Sequence, residues 1–194
     1  PPSSHVTLKF KGAPGKPDVK LHWMDGGVQP ERPDELAPSE IFGDGDNGTL
    51  FIGTKGKMMC ATYGRDPNLL PTSKSKDTVV PQTLKRVPGA DITGHYTAWV
   101  EACIAGYGSQ QEKELSSNFK VAGPLAETVL MGNLAIRSYD FRKPGTGTGR
   151  RGEWDYPGRH MKLLWDGPNM KITNFDEANQ FVKRTYRQGW SLGV

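Results

Sequence analysis

The sequence predicts an α+β fold, an open and mainly antiparallel β-sheet with helices packed on one face. Three observations carry that expectation. Apolar and polar residues alternate with a period of two in paired runs separated by turn formers, the pattern of β-hairpins. Helical periodicity is confined to three stretches beyond residue 90. A repeated strand-helix-strand unit, the mark of a parallel sheet, is missing.

Taken in order, residues 5–11 (HVTLKFK) set Val6, Leu8 and Phe10 against Thr7, Lys9 and Lys11, and residues 18–24 (DVKLHWM) do the same with Val19, Leu21 and Trp23. The intervening GAPGKP makes them one antiparallel hairpin, which Asp25-Gly26-Gly27 ends. Residues 28–42 hold Pro30, Pro33 and Pro38 and read as an extended surface connection. Thr49 to Ile52 and Met58 to Thr62 form a second hairpin, whose link Thr54-Lys55-Gly56 offers glycine where a tight turn wants positive φ. A hairpin alone is marginal, so both require further elements against their apolar faces.

Residues 65–90 are punctuated by Pro67, Pro71, Pro81 and Pro88, and a loop of that length serves a site or an interface. A helix over 94–105 follows, capped by Asp91 or Thr93, with Tyr96, Trp99 or Val100, and Cys103 on one face. A second helix is expected from Pro124 in its first turn to Arg137. Its stripe is Leu125, Val129 and either Gly132 or Asn133, widened by Leu134 and Ile136. Residues 142–151 (RKPGTGTGRR) are a glycine-rich basic loop, read as surface loop because no strand leads into it and no helix follows. Met161 to Trp165 and Met170 to Thr173 are short strands. Asn174 with Glu177 forms a capping box for a last helix that Gly189 ends.

With 194 residues, 35% of them hydrophobic, the chain is long enough for one substantial core, while 24 glycines and 15 prolines imply much turn and loop. The net charge of +4 is spread among mixed signs without a basic run, which speaks against nucleic acid as a partner. No apolar run approaches the ~20 residues that span a bilayer. Cys60 and Cys103, outside any CxxC spacing, are expected as two buried free thiols. The opening Pro1-Pro2-Ser3-Ser4, without methionine, gives the expectation of a processed or excised piece.

No GxGxxG follows an opening strand, and HExxH, GxSxG and P-loop motifs do not occur. The four histidines, His5, His22, His95 and His160, are scattered, so no metal site is indicated. His95 stands out because it opens a helix that also carries Trp99, just after the long loop. Trp23-Met24-Asp25-Gly26 and Trp165-Asp166-Gly167 each place an aromatic beside a carboxylate at a strand end. That pairing suits stacking on a sugar-like ring with hydrogen bonds to its hydroxyls; equally, Trp can pack the core while Asp-Gly makes a turn.

The succession WMDGGVQPERPDEL, GDGDNGTLFIGTKGKMMCATYG, DPNLLP, His95 through Trp99, PLAETVLMGNLAIR, ITNFDEAN and YRQGW resembles, in order and spacing, the carboxyl-terminal part of a Gfo/Idh/MocA-type oxidoreductase. The branch is the one common in Bacteroidetes and planctomycetes. The resemblance covers nearly the whole chain. It implies that residues 1–194 are a single substrate-binding and oligomerisation domain of a bacterial enzyme, cytoplasmic or periplasmic. It implies further that a separate amino-terminal Rossmann domain binds NAD or NADP, so this chain holds no cofactor and transfers no hydride alone. The family's catalytic Glu-Lys-Pro lysine is not matched here, and Lys55 and Lys57 are poor substitutes. The implied substrate is a sugar, cyclitol or related polyol, contacted from this chain by His95, Trp99, Trp23, Asp25 and Asn133. Self-association through the uncovered sheet face is also expected. Two other readings stand beside it: an NAD-dependent glycosidase of the same architecture, and a self-standing carbohydrate-binding or scaffold module.

Overall fold

The computed structural model of the chain describes residues 1–90, 93–147 and 152–191. It is of the α+β class, with every strand pair antiparallel. Among the described residues pairing is divided among four small sheets instead of being collected in one open sheet. Strand β1 (Ser4–Phe10) pairs with β2 (Val19–Asp25) from Ser4 opposite Asp25 to Phe10 opposite Val19. The alternation is as expected, with Val6 buried and Leu8 and Phe10 half-buried.

Strands β3 (Thr49–Gly53) and β4 (Gly56–Cys60) form the second hairpin, closed where Gly53 faces Gly56. Gly56 has φ +139°, the left-handed region the turn was expected to need. A third strand, β5 (Asn68–Leu70), adds to β4 and is followed by the short helix α1 (Ser73–Lys76). Both lie within the stretch that its prolines mark as irregular. Met59, Leu70 and Leu36 make the first buried cluster, with Phe42 and Leu50 against it. Arg32 organises the connection that carries Leu36 by donating from Nη2 to the carbonyls of Ala37 and Glu40.

Helix α2 (Gly94–Ala105) has the expected bounds, and of its candidate caps Asp91 lies outside the described residues while the Thr93 side chain makes no cap bond. A short helix α3 (Gln110–Glu114) packs on it. Helix α4 (Phe119–Asp140) begins a turn and a half before Pro124, which therefore sits inside the helix. The Asn118 side chain caps it by accepting from the Lys120 amide at 3.1 Å, and this start signal outweighs the preference of proline for a first turn. Residues 143–147 and 152–155 form the base of a narrow hairpin, β6 (Lys143–Pro144) with β7 (Trp154–Asp155); residues 148–151 of the glycine-rich loop lie outside the described residues.

Strands β8 (Trp165–Asp166) and β9 (Lys171–Ile172) are shorter than the sequence pattern. The last helix is a single 3-10 segment, Asp176–Phe181. Asn174 does not cap it. Its amide instead ties two chain segments, accepting from Leu164 N at 2.7 Å and donating to Lys162 O at 2.8 Å. Ile172, Phe175 and Ala178 form the second cluster, covered by Leu134, Phe141, Leu163, Trp165 and Phe181. Cys60 is buried as expected, but Cys103 is exposed on α2, a helix whose one buried residue among those described is Ala102.

Burial is sparse. The chain exposes 15812 Å², where a compact chain of 21.3 kDa exposes about 9,100 Å². Much of the excess is apolar: Tyr96, Ile104 and Tyr107 in and after α2, and Phe119, Leu125 and Leu130 on α4, are all more than half exposed. A helix that is apolar on every side belongs inside a larger body.

The second cluster supplies a paired test of packing. A Cβ added at Gly158 would stand 2.0 Å from the Ser138 carbonyl oxygen, whereas the buried Ser138 Oγ has no hydrogen-bond partner. Gly158→Ala is expected to lower unfolding free energy by about 1–3 kcal/mol. Ser138→Ala is expected to leave it unchanged or raise it, because an unpartnered hydroxyl is removed. Urea titration of both variants checks the pair.

Candidate functional site

The end of the first hairpin joins two of the five residues singled out from the sequence. Asp25 Oδ1 accepts from Ser4 N at 2.7 Å, both carboxylate oxygens accept from Ser4 Oγ at 3.0 Å, and Oδ2 accepts from Trp23 Nε1 at 3.3 Å. An ionised carboxylate offers about four acceptor positions, and three donors converge on them: the Ser4 amide, the Ser4 hydroxyl and the Trp23 indole. Asp25 is thus committed to closing the hairpin, while the half-exposed Trp23 ring offers a flat face for stacking. The similar Trp165-Asp166 pair is built differently. Trp165 Nε1 donates to Glu127 Oε1 at 2.6 Å, and Asp166 accepts from Asn169 in a turn.

His95 and Trp99 lie on α2, where His95 borders a shallow depression of ≈ 400 Å³ formed mainly by residues 80–87. Asn133 lies exposed on α4. Among the described residues no hydrogen bond or ring contact links His95, Trp99 or Asn133 to each other or to the Trp23–Asp25 pair.

A further concavity contains none of the five. It is a groove of ≈ 1190 Å³ between β1, one stripe of α4 (Pro124, Thr128, Met131, Ala135) and the segment 160–165. Lys9, Lys162, His5 and His160 stand on it against Glu127 and Asp140, and Glu127 is already engaged by Trp165. Sequence reasoning missed this site. Its signals were the Val6-Leu8-Phe10 alternation and the α4 stripe, each of which announces a face to be covered without saying by what.

The hairpin also brings together two histidines that look scattered in the sequence. His5 Nε2 and Thr7 Oγ1 each lie 3.1 Å from His22 Nδ1. Among the described residues no group of three or more histidine, cysteine or carboxylate side chains is placed to hold a metal.

Two further electrostatic arrangements bear on function. Lys57 Nζ donates to Glu35 Oε2 at 2.8 Å, and this hydrogen bond raises the lysine above its ordinary range while lowering the glutamate. A lysine serving as general base needs the opposite shift, so Lys57 acts as a clamp between β4 and the proline-rich connection. Asp44 is lowered from 3.8 to about 2, first by the Thr62 hydroxyl and then by the Asn47 amide.

Removing Asp25 by Asp25→Ala is expected to speed hydrogen exchange at the Ser4 amide and at the open end of the hairpin, read by mass spectrometry. For Asp44 the folded-state value lies below the ordinary one. Its contribution to stability is therefore complete above pH 3.8 and fades as pH falls toward about 2. Asp44→Asn is expected to flatten the dependence of the urea midpoint in that window. Set against known proteins, the chain matches no family model and no curated protein.

Proposed function

We propose that this chain is the substrate-side and subunit-packing part of a Gfo/Idh/MocA-type oxidoreductase that moves hydride between NAD or NADP and a hydroxyl carbon of a sugar, cyclitol or related polyol. The observation that carries the reading beyond the sequence resemblance is the surface excess. Two small clusters and an uncovered apolar helix are what one part of a larger catalyst presents when seen without its complement.

The dinucleotide itself does not fit these residues. A pyrophosphate site needs a glycine-rich turn that runs from a strand into a helix N-terminus. Residues 43–48 (GDGDNG) have the glycine spacing but run directly into β3, and the stretch around 145–152 has β6 and β7 on its described flanks, so neither is seen to open a helix. No step of hydride transfer is derived from this chain. Its contribution is to bind and orient: Trp23 by stacking, with Asp25 holding the indole, and His95, Trp99 and Asn133 from the helices. Among the described residues those three make no hydrogen bond or ring contact with Trp23, and the reading assigns the joining of these groups around one substrate to assembly and self-association.

The test uses the longer polypeptide that the proposal requires, carrying this segment together with a dinucleotide-binding domain. A panel of polyols is expected to reduce NAD or NADP, read by nicotinamide absorbance, and Trp23→Ala or His95→Ala is expected to raise KM more than it lowers kcat. Cleavage of an aryl glycoside without net cofactor reduction would move the protein to the glycosidase reading. Carbohydrate binding with no turnover would move it to the binding-module reading.

A further inference from the structure

One face of the first hairpin breaks its own alternation. The register sets His5 opposite Met24, Thr7 opposite His22 and Lys9 opposite Lys20, so these six side chains share the face turned away from Val6, Leu8 and Phe10. Five of them are polar and exposed. The sixth, Met24, is a half-buried thioether where the pattern calls for a polar residue. It faces His5 across the ladder and follows His22 by two residues on the same strand, positions from which side chains of one face meet. The two imidazoles already approach each other through their nitrogens. His5 Nε2 lies 3.1 Å from His22 Nδ1, with the ring planes inclined at 46°. Thr7 Oγ1 lies 3.1 Å from the same His22 nitrogen. A ring nitrogen carries either one proton or one lone pair, so His22 Nδ1 satisfies only one of these neighbours in full.

We propose that His5, His22 and Met24 bind one copper ion, as Cu(I), on this face of the hairpin. Ligand chemistry selects the metal. Imidazole suits copper, and a thioether is a soft donor that favours the cuprous ion. The six positions include no carboxylate, so hard cations such as Mg²⁺ and Ca²⁺ lack their oxygen donors there. Their other charges are the amines of Lys9 and Lys20, and a monovalent ion meets half the repulsion that a divalent one does. The distance agrees with shared ligation: nitrogens 3.1 Å apart, each about 2.0–2.1 Å from a metal, subtend about 100° at it, near the tetrahedral angle. In the bound state each ring keeps its proton on the nitrogen away from the metal, His5 Nδ1 and His22 Nε2, and the Thr7 hydroxyl turns to water. The third ligand is a thioether, which is why imidazole, thiol and carboxylate groups alone make no cluster of three among the described residues. The proposal stands apart from the oxidoreductase reading, because Trp23 and Asp25 lie on the opposite face of the hairpin.

The test titrates Cu(I) anaerobically into the chain against the chromogenic chelator bicinchoninate. It uses a Cys103→Ser background, because an exposed thiol is itself a Cu(I) ligand. One bound ion per chain is expected. His5→Gln, His22→Gln and Met24→Leu, their folds checked by circular dichroism, are each expected to weaken binding at least about tenfold. Thr7→Val, which removes the competing hydroxyl and no ligand, is expected to keep it. X-ray absorption on the Cys103→Ser chain needs no ligand variant, and two nitrogens with one sulfur around the metal are expected there. No binding would overturn the proposal and leave a hydrogen-bonded histidine pair. So would binding that survives the loss of either histidine, a metal with no sulfur neighbour, or tighter binding of Zn²⁺ than of Cu(I).

Discussion

One constraint governs this molecule: it withholds too little of itself from water. An unfolded chain of 21.3 kDa exposes about 31,000 Å², and a compact fold of that size buries about 70% of it. Here 15812 Å² remains exposed, so about half is buried. Hydrophobic burial is the dominant favourable contribution to folding, and it must offset a conformational entropy cost that grows with every ordered residue. The two clusters among the described residues supply little of that margin, which is what the proposal of a covering partner answers.

What persists under that constraint is local. The two long hairpins close through registers fixed by alternation and by turn glycines, and each needs few distant contacts. Side chains substitute for missing partners at several points. Asn174 acts as a surrogate strand for residues 162–164, Asn179 bonds both the amide and the carbonyl of Ile172, and Asp25 holds the free end of β1. Among the described residues β1 pairs with β2 alone, and its outer edge marks where such substitutes run out. Seen this way, the groove and the apolar α2 surface are two results of one deficit. Both leave apolar side chains short of cover, Leu8 and Phe10 half-buried beside the groove and Tyr96 and Ile104 exposed on α2.

Much of this was legible in the sequence, and the failures have physical causes. Period-two alternation located β1 and β2 within one residue at each end, and the positive φ of Gly56 follows from its turn. Proline density hid β5 and α1, since Asn68–Leu70 gains strand character only by pairing with β4. Pro124 misled because capping by Asn118 fixes the helix start further upstream. Asn174 and Glu177 make a valid capping box, yet the same asparagine amide is drawn off by Lys162 and Leu164, a tertiary use that no local pattern announces. For the site, adjacency in sequence was enough to find the Trp23–Asp25 pair. It could not find the groove, which is assembled from β1 and from α4 and residues 160–165, more than a hundred residues further on.

The central claim is that the isolated chain is an incomplete body, and the slope of its urea unfolding tests that most directly. The slope scales with the surface exposed on unfolding, so the isolated chain should give about two-thirds of the value for a compact chain of the same length, rising once a covering partner binds. A single cooperative transition with the full slope in the isolated chain would contradict the account.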